Sequence, residues 1–210
     1  MFILNCEGEK KRILEFTLHK FLREGFYKTT MDEIASELKI SKKTIYKYFS
    51  SKDKLIDEVI HTVQRTAKTN IEEISNSDMD ALDKFLKLKS FLTSLLIKLN
   101  QFIIKDMEQH AQDKWEKIDK FRTDLIQKNV LKIIEQGKKE KIFRGFNSKV
   151  VITMLLGSLR EVVSPTYIIN SNFSAHAGAT MVYNFFLAGM LTEKGKKLLN
   201  KYKESLEYEE

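Results

Sequence analysis

The residues of this sequence that are best suited to chemistry concentrate in one short basic segment. Residues 39–52 include no acidic residue but five lysines: Lys39, Lys42, Lys43, Lys47 and Lys52. Outside this segment the charges are mixed in sign, so much of the formal net charge of +7 is focused here. Ammonium groups clustered in this way suit a polyanion, and nucleic acid is the obvious one.

Helical spacing divides the segment into an inward and an outward face. Ile45, Tyr48 and Phe49 recur at positions i, i+3 and i+4, which predicts a stripe packed against a core. The same spacing places donors on the opposite side: Lys43, Tyr46 and Lys47, with Lys42 beside them. A helix of two turns is not stable alone, so neighbouring helices must hold it. The DNA major groove accepts a helix of this width, and phosphates and base edges accept such donors.

The elements that would hold this helix show clear start signals. Thr30 followed by Glu33 forms a capping box before a short helix, and Ser41 caps the next one. The helices predicted for this part of the chain run from Glu9 to Glu24, from Met31 to Leu38, from Lys42 to Phe49, and from Lys52 to about Ile74. A short helix, a tight turn and a basic second helix indicate a helix-turn-helix.

The remaining chain is also predicted to be helical, because apolar residues keep a helical period and no alternating strand pattern occurs. The predicted helices run from Asp80 to about Leu99, from Gln101 to His110, from Trp115 to near Gly137, from Lys149 to Val163, and from Ala175 to Met190. Ser164 and Pro165 are expected to close the fourth of these, and the tail from Thr192 to Glu210 to be helical and then frayed. The fold class is therefore all-α, with about nine helices.

Several functional classes lack their residues in this sequence. The single cysteine, Cys6, excludes a disulfide framework and fits a reducing compartment. A signal peptide and a run of 18 apolar residues are both missing, which predicts a cytoplasmic protein without a membrane partner. There is no glycine-rich phosphate loop, no nucleophile elbow and no Cys/His cluster with metal spacing. We therefore expect no enzyme, no cofactor and no metal site.

Residues 25–35, 40–49 and 51–55 together resemble the DNA-binding domain of the TetR family of transcriptional regulators. The matching runs are Gly-Phe-Tyr-Lys-Thr-Thr-Met-Asp-Glu-Ile-Ala, Ile-Ser-Lys-Lys-Thr-Ile-Tyr-Lys-Tyr-Phe and Ser-Lys-Asp-Lys-Leu. The resemblance covers roughly Lys10 to Ile60. It implies a three-helix DNA-binding head at residues 1–55, joined to a helical bundle for effector binding and dimerisation at residues 56–210.

The resemblance also implies which residues meet double-stranded DNA. Thr29 and Thr30 would open the second helix near the phosphate backbone, and Lys52 would contact phosphate at the start of the fourth helix. Tyr46 and Tyr48 would approach phosphates. The residues that would lie in or beside the major groove are Ser41, Lys42, Lys43, Thr44, Tyr46 and Lys47.

Two positions depart from the family pattern. Phe16 stands where the family often has a small residue, so packing between the first and fourth helices must adjust. The turn after the second helix usually carries glycine where this chain has Lys39. If that residue keeps a left-handed backbone conformation, the side chain costs roughly 1 kcal/mol. In return, Lys39 adds a positive charge on the side that would face DNA.

The last two apolar helices are predicted to form a homodimer interface, because residues on most of their sides are apolar; the alternative is that they only form the monomer core. The predicted interface residues are Val151, Leu155, Leu159, Val162, Met181, Val182, Phe185 and Phe186. A dimer would place two reading helices in successive major grooves of a palindromic operator, roughly 34–36 Å apart.

The family resemblance further implies a pocket for a small-molecule effector, which we expect to be largely apolar. Its candidate lining is Phe91, Leu95, Phe102, Met107, His110, Trp115, Phe121, Met154 and Tyr183. Aromatic and methionine side chains suit an apolar cavity, although the same residues also make an ordinary core. An effector that changes the spacing of the two reading heads would release the protein from its operator, which predicts a repressor.

Two other interpretations of the sequence stay open. One is a small-molecule sensor or partner-binding bundle whose DNA head has lost its function. The other is a basic amphipathic protein that docks on an anionic membrane. Both predict weak DNA binding without sequence preference, so the ratio of operator to random-DNA affinity at a stated salt concentration separates them from a regulator.

Overall fold

The computed structural model describes residues 8–97 and 101–207, with side chains described for residues 8–97 and 103–202. The described residues form eleven α-helices and no strand. The helices are α1 (Gly8–Glu24), α2 (Met31–Leu38), α3 (Lys42–Tyr48), α4 (Lys52–Asn76), α5 (Ala81–Ile97), α6 (Gln101–His110), α7 (Gln112–Lys139), α8 (Ser148–Val162), α9 (Pro165–Asn170), α10 (Ala175–Met190) and α11 (Glu193–Glu207). The all-α prediction is thereby confirmed. Cys6 and Leu99, which entered the sequence predictions, lie outside the described residues.

The chain divides into two compact units, and the first contains the basic segment. This unit comprises residues 1–70 and 98–121, and within it α1 packs against α2 and α6 while α2 packs against α3. Its fully buried side chains include Ile13, Leu14, Ile34, Ile45 and Phe49. Apolar residues at helical spacing on α1, α2 and α3 thus form one small core that fixes the orientation of the shortest helix.

A buried lysine ties α1 to α2 inside this unit. Lys20 is only 5% exposed, and its Nζ donates to Glu24 Oε2 at 2.7 Å and to Glu37 Oε1 at 2.5 Å. The hydrogen bonds to Glu24 and then Glu37 raise the pKa of Lys20, although burial opposes them. The two carboxylates compensate the buried charge, so α2 is held by polar contacts as well as by the core.

The second unit comprises residues 71–97 and 122–210, and α10 is its central helix, packed against α5 and α8. The ring of Phe85 on α5 meets the ring of Tyr183 on α10 edge-on at 6.2 Å, and that of Phe143 at 6.3 Å. Phe143 also forms an isolated antiparallel bridge with Leu191, which ties the loop after α7 to the end of α10. Aromatic contacts thus bury the side of α10 that carries Tyr183.

The sequence prediction missed α9 and misplaced several helix ends; α7, for example, begins at Gln112 and not at Trp115. Pro165 was expected to close α8, but it occupies the first turn of α9, where Ser164 caps the helix and a proline ring fits without loss of a hydrogen bond. Gly137 was expected to end α7, but the helix continues to Lys139. A glycine fits at this helical position because the ring of Phe143 occupies the space that a Cβ would need.

The hydropathy of the described helices bears on the membrane interpretation. Among residues 8–97 and 101–207, no helix combines the length and the apolar character needed to cross a bilayer.

Candidate nucleic-acid interface

The start of α2 is fixed by a complete capping box. Thr30 Oγ1 accepts the backbone N–H of Glu33 at 3.2 Å, and the backbone N–H of Thr30 donates to Glu33 Oε2 at 2.8 Å. Two backbone donors that the first helical turn leaves open are therefore satisfied. Thr30 itself is exposed, so its backbone and side chain are held in place at the surface of the head.

The turn between α2 and α3 has a left-handed backbone conformation at Lys39, the condition under which a residue other than glycine is strained. Lys39 has φ 55° and ψ 44°, and its N–H donates to Ser36 O at 3.0 Å. The N–H of Ile40 donates to Ala35 O at 3.0 Å, which completes a Schellman motif. Lys39 therefore occupies a position that favours glycine, and its exposed ammonium group leaves the turn toward solvent.

Helix α3 is held at its N-terminus by Ser41, whose Oγ accepts the N–H of Thr44 at 3.0 Å. On the inner side Ile45 is completely buried and Phe49 is 1% exposed. On the outer side Tyr46 is 50% exposed, and the exposed lysines are Lys42, Lys43 and Lys47. The division into two faces that the spacing predicted is thus the division that the structure has.

Two of the residues predicted to contact DNA already have partners. Lys42 Nζ forms an ion pair with Asp32 on α2, and both side chains are more than half exposed. Tyr48 is half-buried, its hydroxyl donates to Glu9 Oε2 at 3.4 Å, and Lys47 Nζ lies 5.4 Å from the centre of its ring. An exposed ion pair of this kind is weak, so Lys42 can exchange Asp32 for a phosphate at little cost.

Thr29 and Lys52, the two predicted contacts at the edges of the motif, are partly turned inward. Thr29 is 3% exposed, and its hydroxyl donates to the carbonyl oxygen of Gly25 at 2.9 Å. The hydroxyl of Thr29 therefore closes the turn before α2 and does not face solvent. Lys52 is half-buried, and its Nζ donates to the carbonyl oxygen of Tyr27. Burial lowers the pKa of Lys52, while the charges of Asp106 and Glu33 oppose that effect.

A polar cleft of about 320 Å³ lies beside α3, at its junction with α1 and α4. Its lining residues are Lys10, Tyr48, Phe49, Ser50, Lys54, Asp57, Glu58 and His61. Lys10 Nζ donates to Glu58 Oε2 at 2.8 Å, and Lys114 Nζ donates to Asp57 Oδ1 at 2.6 Å. These two ion pairs tie α4 to α1 and to the start of α7, and so they help to stabilise the head.

Sequence reasoning missed the contribution of α6 and the start of α7 to the head. Asp106 on α6 accepts backbone N–H groups of the turn between α1 and α2, and His110 stacks on Tyr27. Lys114 forms ion pairs with Asp53 at 2.9 Å and Asp57 at 2.6 Å. Burial alone would lower the pKa of Lys114, but hydrogen bonds to Asp57 and Asp53 raise it overall. No local signal marks these contacts, because each joins residues more than 55 positions apart.

The predicted effector-pocket residues fall into both compact units. Met107, His110, Trp115 and Phe121 belong to the first, and Phe91, Leu95, Met154 and Tyr183 to the second. Tyr183 is 3% exposed, and burial raises the pKa of its hydroxyl, with the charge of Arg122 acting in the opposite sense. His110 and Met154 are exposed, the latter by 56%. The predicted Phe102 side chain lies outside the described part of the chain.

The predicted dimer residues include buried, half-buried and exposed members. Leu155 and Leu159 are buried within their own unit and are therefore core residues of the protomer. Met181 and Phe185 are 60% and 77% exposed. The remaining members are half-buried: Val151, Val162, Val182 and Phe186.

A capped short helix, a left-handed turn and a second capped helix with an outward basic face define a helix-turn-helix of the DNA-binding class. Three comparisons with known proteins agree with this class. The family model described as "Bacterial regulatory proteins, tetR family" matches residues 13–59, which span α1 to the first turns of α4. The HTH-type transcriptional regulator YvaF of Bacillus subtilis is 29% identical over 165 residues, which cover 78% of this chain and 86% of YvaF.

Solved structures show the same fold over nearly the whole chain. A transcriptional regulator from Cytophaga hutchinsonii superposes with a TM-score of 0.63 and 23% identity, covering 89% of this chain and all of that one. The protein in a SmeT–triclosan complex superposes with a TM-score of 0.61 and 14% identity, covering 88% and 92%. Residues 13–59 therefore match the TetR family of bacterial regulatory proteins, and the chain as a whole has the fold of these solved structures.

Proposed function

We propose that this protein is a cytoplasmic repressor that binds a palindromic operator as a homodimer and is released from it by a small-molecule effector. The observation that carries the proposal is an apolar face that α8 and α10 leave uncovered in the single chain. Four exposed residues define this dimer face: Val150, Met154, Met181 and Phe185.

The grouping of exposed apolar residues on α8 and α10 supports self-association. Single exposed apolar residues are ordinary, but a group of them on two packed helices is typical of a surface that another protein covers. Phe185 is 77% exposed, and its ring meets that of Phe186 edge-on at 6.0 Å. Methionine and phenylalanine are among the residues enriched in the buried centres of interfaces.

Glycines distinguish the inner from the outer sides of these helices. A Cβ added at Gly178 would lie 3.3 Å from Val162 Cβ, so this glycine permits close packing of α10 on α8 within the protomer. Gly157 and Gly189 are exposed, and a Cβ at either one would meet nothing within 4 Å. Small residues on an exposed helical face allow the helices of a second copy to approach closely.

A dimer with twofold symmetry predicts the form of the operator. Each protomer would present one copy of α3, so the operator would contain two half-sites in inverted orientation. Their centres would be separated by about one helical turn, 34–36 Å, or a multiple of it. The residues proposed to contact each half-site are Thr30, Ser41, Lys42, Lys43, Thr44, Tyr46, Lys47, Tyr48 and Lys52.

Release by a small molecule is supported by the likeness to a regulator whose structure was solved with triclosan. The residues we retain for a pocket are the less exposed members of the predicted set that lie in the second unit: Phe91, Leu95 and Tyr183. Their apolar surfaces suit a largely apolar effector, and the Tyr183 hydroxyl can orient it. Met154 is omitted because it is exposed, and the predicted residues of the first unit are omitted because they belong to a different compact unit: Met107, His110, Trp115 and Phe121.

The effector proposal is tested by extracting the purified full-length protein with organic solvent and identifying any co-purified compound by mass spectrometry. We expect one compound in near-stoichiometric amount, and we expect its addition to the extracted, refolded protein to lower operator affinity at least tenfold. Random DNA of equal length is the matched control. A compound that leaves operator affinity unchanged, or lowers affinity for both DNAs equally, would contradict effector release.

A further inference from the structure

The turn between α1 and α2 is fastened to α6 by one carboxylate. Asp106 Oδ2 accepts the backbone N–H of Phe26 at 2.6 Å and that of Tyr27 at 2.8 Å. Two consecutive N–H groups directed at one anionic oxygen form a small anion-binding nest. Hydrogen bonds to an ionised acceptor are shorter and stronger than those between neutral groups. Asp106 thus determines the path of the backbone immediately before the DNA-binding helices.

The conformation of this turn depends on several contacts that Asp106 joins. Gly25 has φ 84°, which favours glycine, and its carbonyl oxygen accepts the buried hydroxyl of Thr29. The ring of Phe26 is buried and meets that of Phe21 edge-on at 6.1 Å. Because Phe26 and Thr29 are both anchored inward, the turn has one path to Thr30, the first residue of the capping box.

Tyr27 connects the turn to the start of α4. Its ring stacks on His110 of α6, with centroids 3.5 Å apart and planes at 10°. Its carbonyl oxygen accepts Lys52 Nζ, which also lies 6.0 Å from the centre of the Tyr27 ring. A displacement of Tyr27 therefore moves the group that holds Lys52, a residue proposed to contact phosphate.

We propose that Asp106 is a positioning residue for operator binding, which acts through the backbone of residues 26–27 and through Tyr27 on Thr30 and Lys52. This inference rests on the proposed operator-specific binding. Asp106 would thus support operator binding although it is acidic. Electrostatics alone predicts that an acidic residue in the DNA-binding head weakens binding. Removing a negative charge from a DNA-binding head would strengthen its attraction to DNA.

The sign of the effect makes the proposal testable with a matched pair of variants. Asp106→Asn and Asp113→Asn remove the same charge from the same compact unit, but Asp113 lies on the surface, where its carboxylate makes an exposed contact with Lys117 at 3.5 Å. At fixed salt we expect Asp106→Asn to weaken operator binding by roughly five- to tenfold, because its neutral amide accepts both N–H groups less strongly. Asp113→Asn should bind as tightly as the wild type or slightly more tightly.

A second variant is needed because the amide oxygen of Asp106→Asn could still accept both backbone N–H groups. Asp106→Ala removes the acceptor entirely and should weaken operator binding at least as much as Asp106→Asn. Thermal unfolding identifies any variant that no longer folds, and affinities are compared only for the folded fraction. If both Asp106 variants bind the operator as tightly as Asp113→Asn, the carboxylate acts only as a charge and the proposal is overturned.

The route through Tyr27 and Lys52 predicts coupling that a purely structural role would not produce. Lys52→Ala should weaken operator binding less in the Asp106→Asn background than in the wild type, because Lys52 is already displaced there. The salt slope of Asp106→Asn should also be shallower. Independent losses with an unchanged slope would overturn this route. The ratio of operator to random-DNA affinity is measured first for the wild type. A ratio near one would refute the proposed function itself, and not only the role of Asp106.

Discussion

The outward face of α3 and the dimer face on α8 and α10 are both exposed, but different forces define them. Helix α3 has 7 residues, needs a cap from Ser41, and presents cations and a tyrosine hydroxyl over a buried Ile45. Helix α10 has 16 residues and presents Met181 and Phe185 to solvent opposite the buried Tyr183. Polar donors gain by facing water and DNA, whereas large apolar side chains lose by facing water. The first face is complete in one chain, whereas we propose that a second copy of the chain covers the other.

The largest expected effect comes from breaking the dimer face. Phe185→Glu places a charge at its most exposed apolar position, so self-association should be lost at micromolar concentration. Each head would then bind alone, and operator affinity should fall by at least about 100-fold, because linked binding of two half-sites is lost. Sedimentation velocity measures the first effect and fluorescence anisotropy the second.

Phe173→Glu is the matched control for this prediction. Phe173 is 52% exposed and precedes α10, so the same chemical change occurs outside the dimer face. It should leave both the sedimentation coefficient and operator affinity near wild type. If the wild type is a stable monomer, or if both variants behave alike, the contrast between a self-sufficient and a partner-requiring face is wrong.

A smaller effect is expected on the basic face. Lys47→Ala removes an outward cation of α3 without touching the core, and it should weaken operator binding roughly tenfold and lower the salt slope by about one per protomer. Tyr46→Phe, which removes only a hydroxyl, should cost less. Lys68→Ala removes the same charge from an exposed position of α4 in the same unit and should change neither quantity much. Equal losses for Lys47→Ala and Lys68→Ala would mean that net charge, and not this face, governs binding.

The smallest effect separates stability from DNA binding in the two units. Lys39 at φ 55° and Lys141 at φ 58° are both left-handed, and each follows a helix, the first residue in the first unit and the second in the second unit. Lys39→Gly and Lys141→Gly should each raise the free energy of unfolding by roughly 0.5–1 kcal/mol, because glycine relieves the strain but also gains freedom in the unfolded chain. Chemical denaturation measures this change.

Only one of these two glycine variants should affect DNA. Lys39→Gly removes a cation from the turn beside α3, so operator affinity should fall a few-fold despite the higher stability. Lys141→Gly should leave operator affinity unchanged. A loss of affinity in both variants, or in neither, would show that Lys39 contributes no charge to the DNA-binding face.

Local signals in the sequence predicted much of the head. The bounds of α2 were predicted correctly because Thr30 and Glu33 mark its start and the Lys39 turn marks its end. The bounds of α10 were also predicted correctly, since a strongly apolar segment occupies residues 175–190. Periodicity likewise identified the buried Ile45 and the outward lysines of α3.

Properties that depend on distant residues could not be predicted in the same way. Leu155 and Phe185 have similar hydropathy, and only the packing of α8 and α10 buries the first and exposes the second. The inward turn of the Thr29 hydroxyl depends on the positive φ of Gly25, which a sequence pattern does not specify. Asp106 looks like a surface residue until the fold brings α6 to the turn 80 residues earlier in the chain.

The central claim is that residues 30–52 form a face that recognises a specific DNA sequence. The most direct test compares the affinity of the full-length protein for the operator, selected from random sequences or from the protein's own upstream region, with its affinity for random DNA of equal length at 150 mM salt. We predict a ratio of at least about 1,000, as specific regulators show. A ratio near one would contradict this account and would leave the chain as a basic helical protein that binds DNA only through its charge.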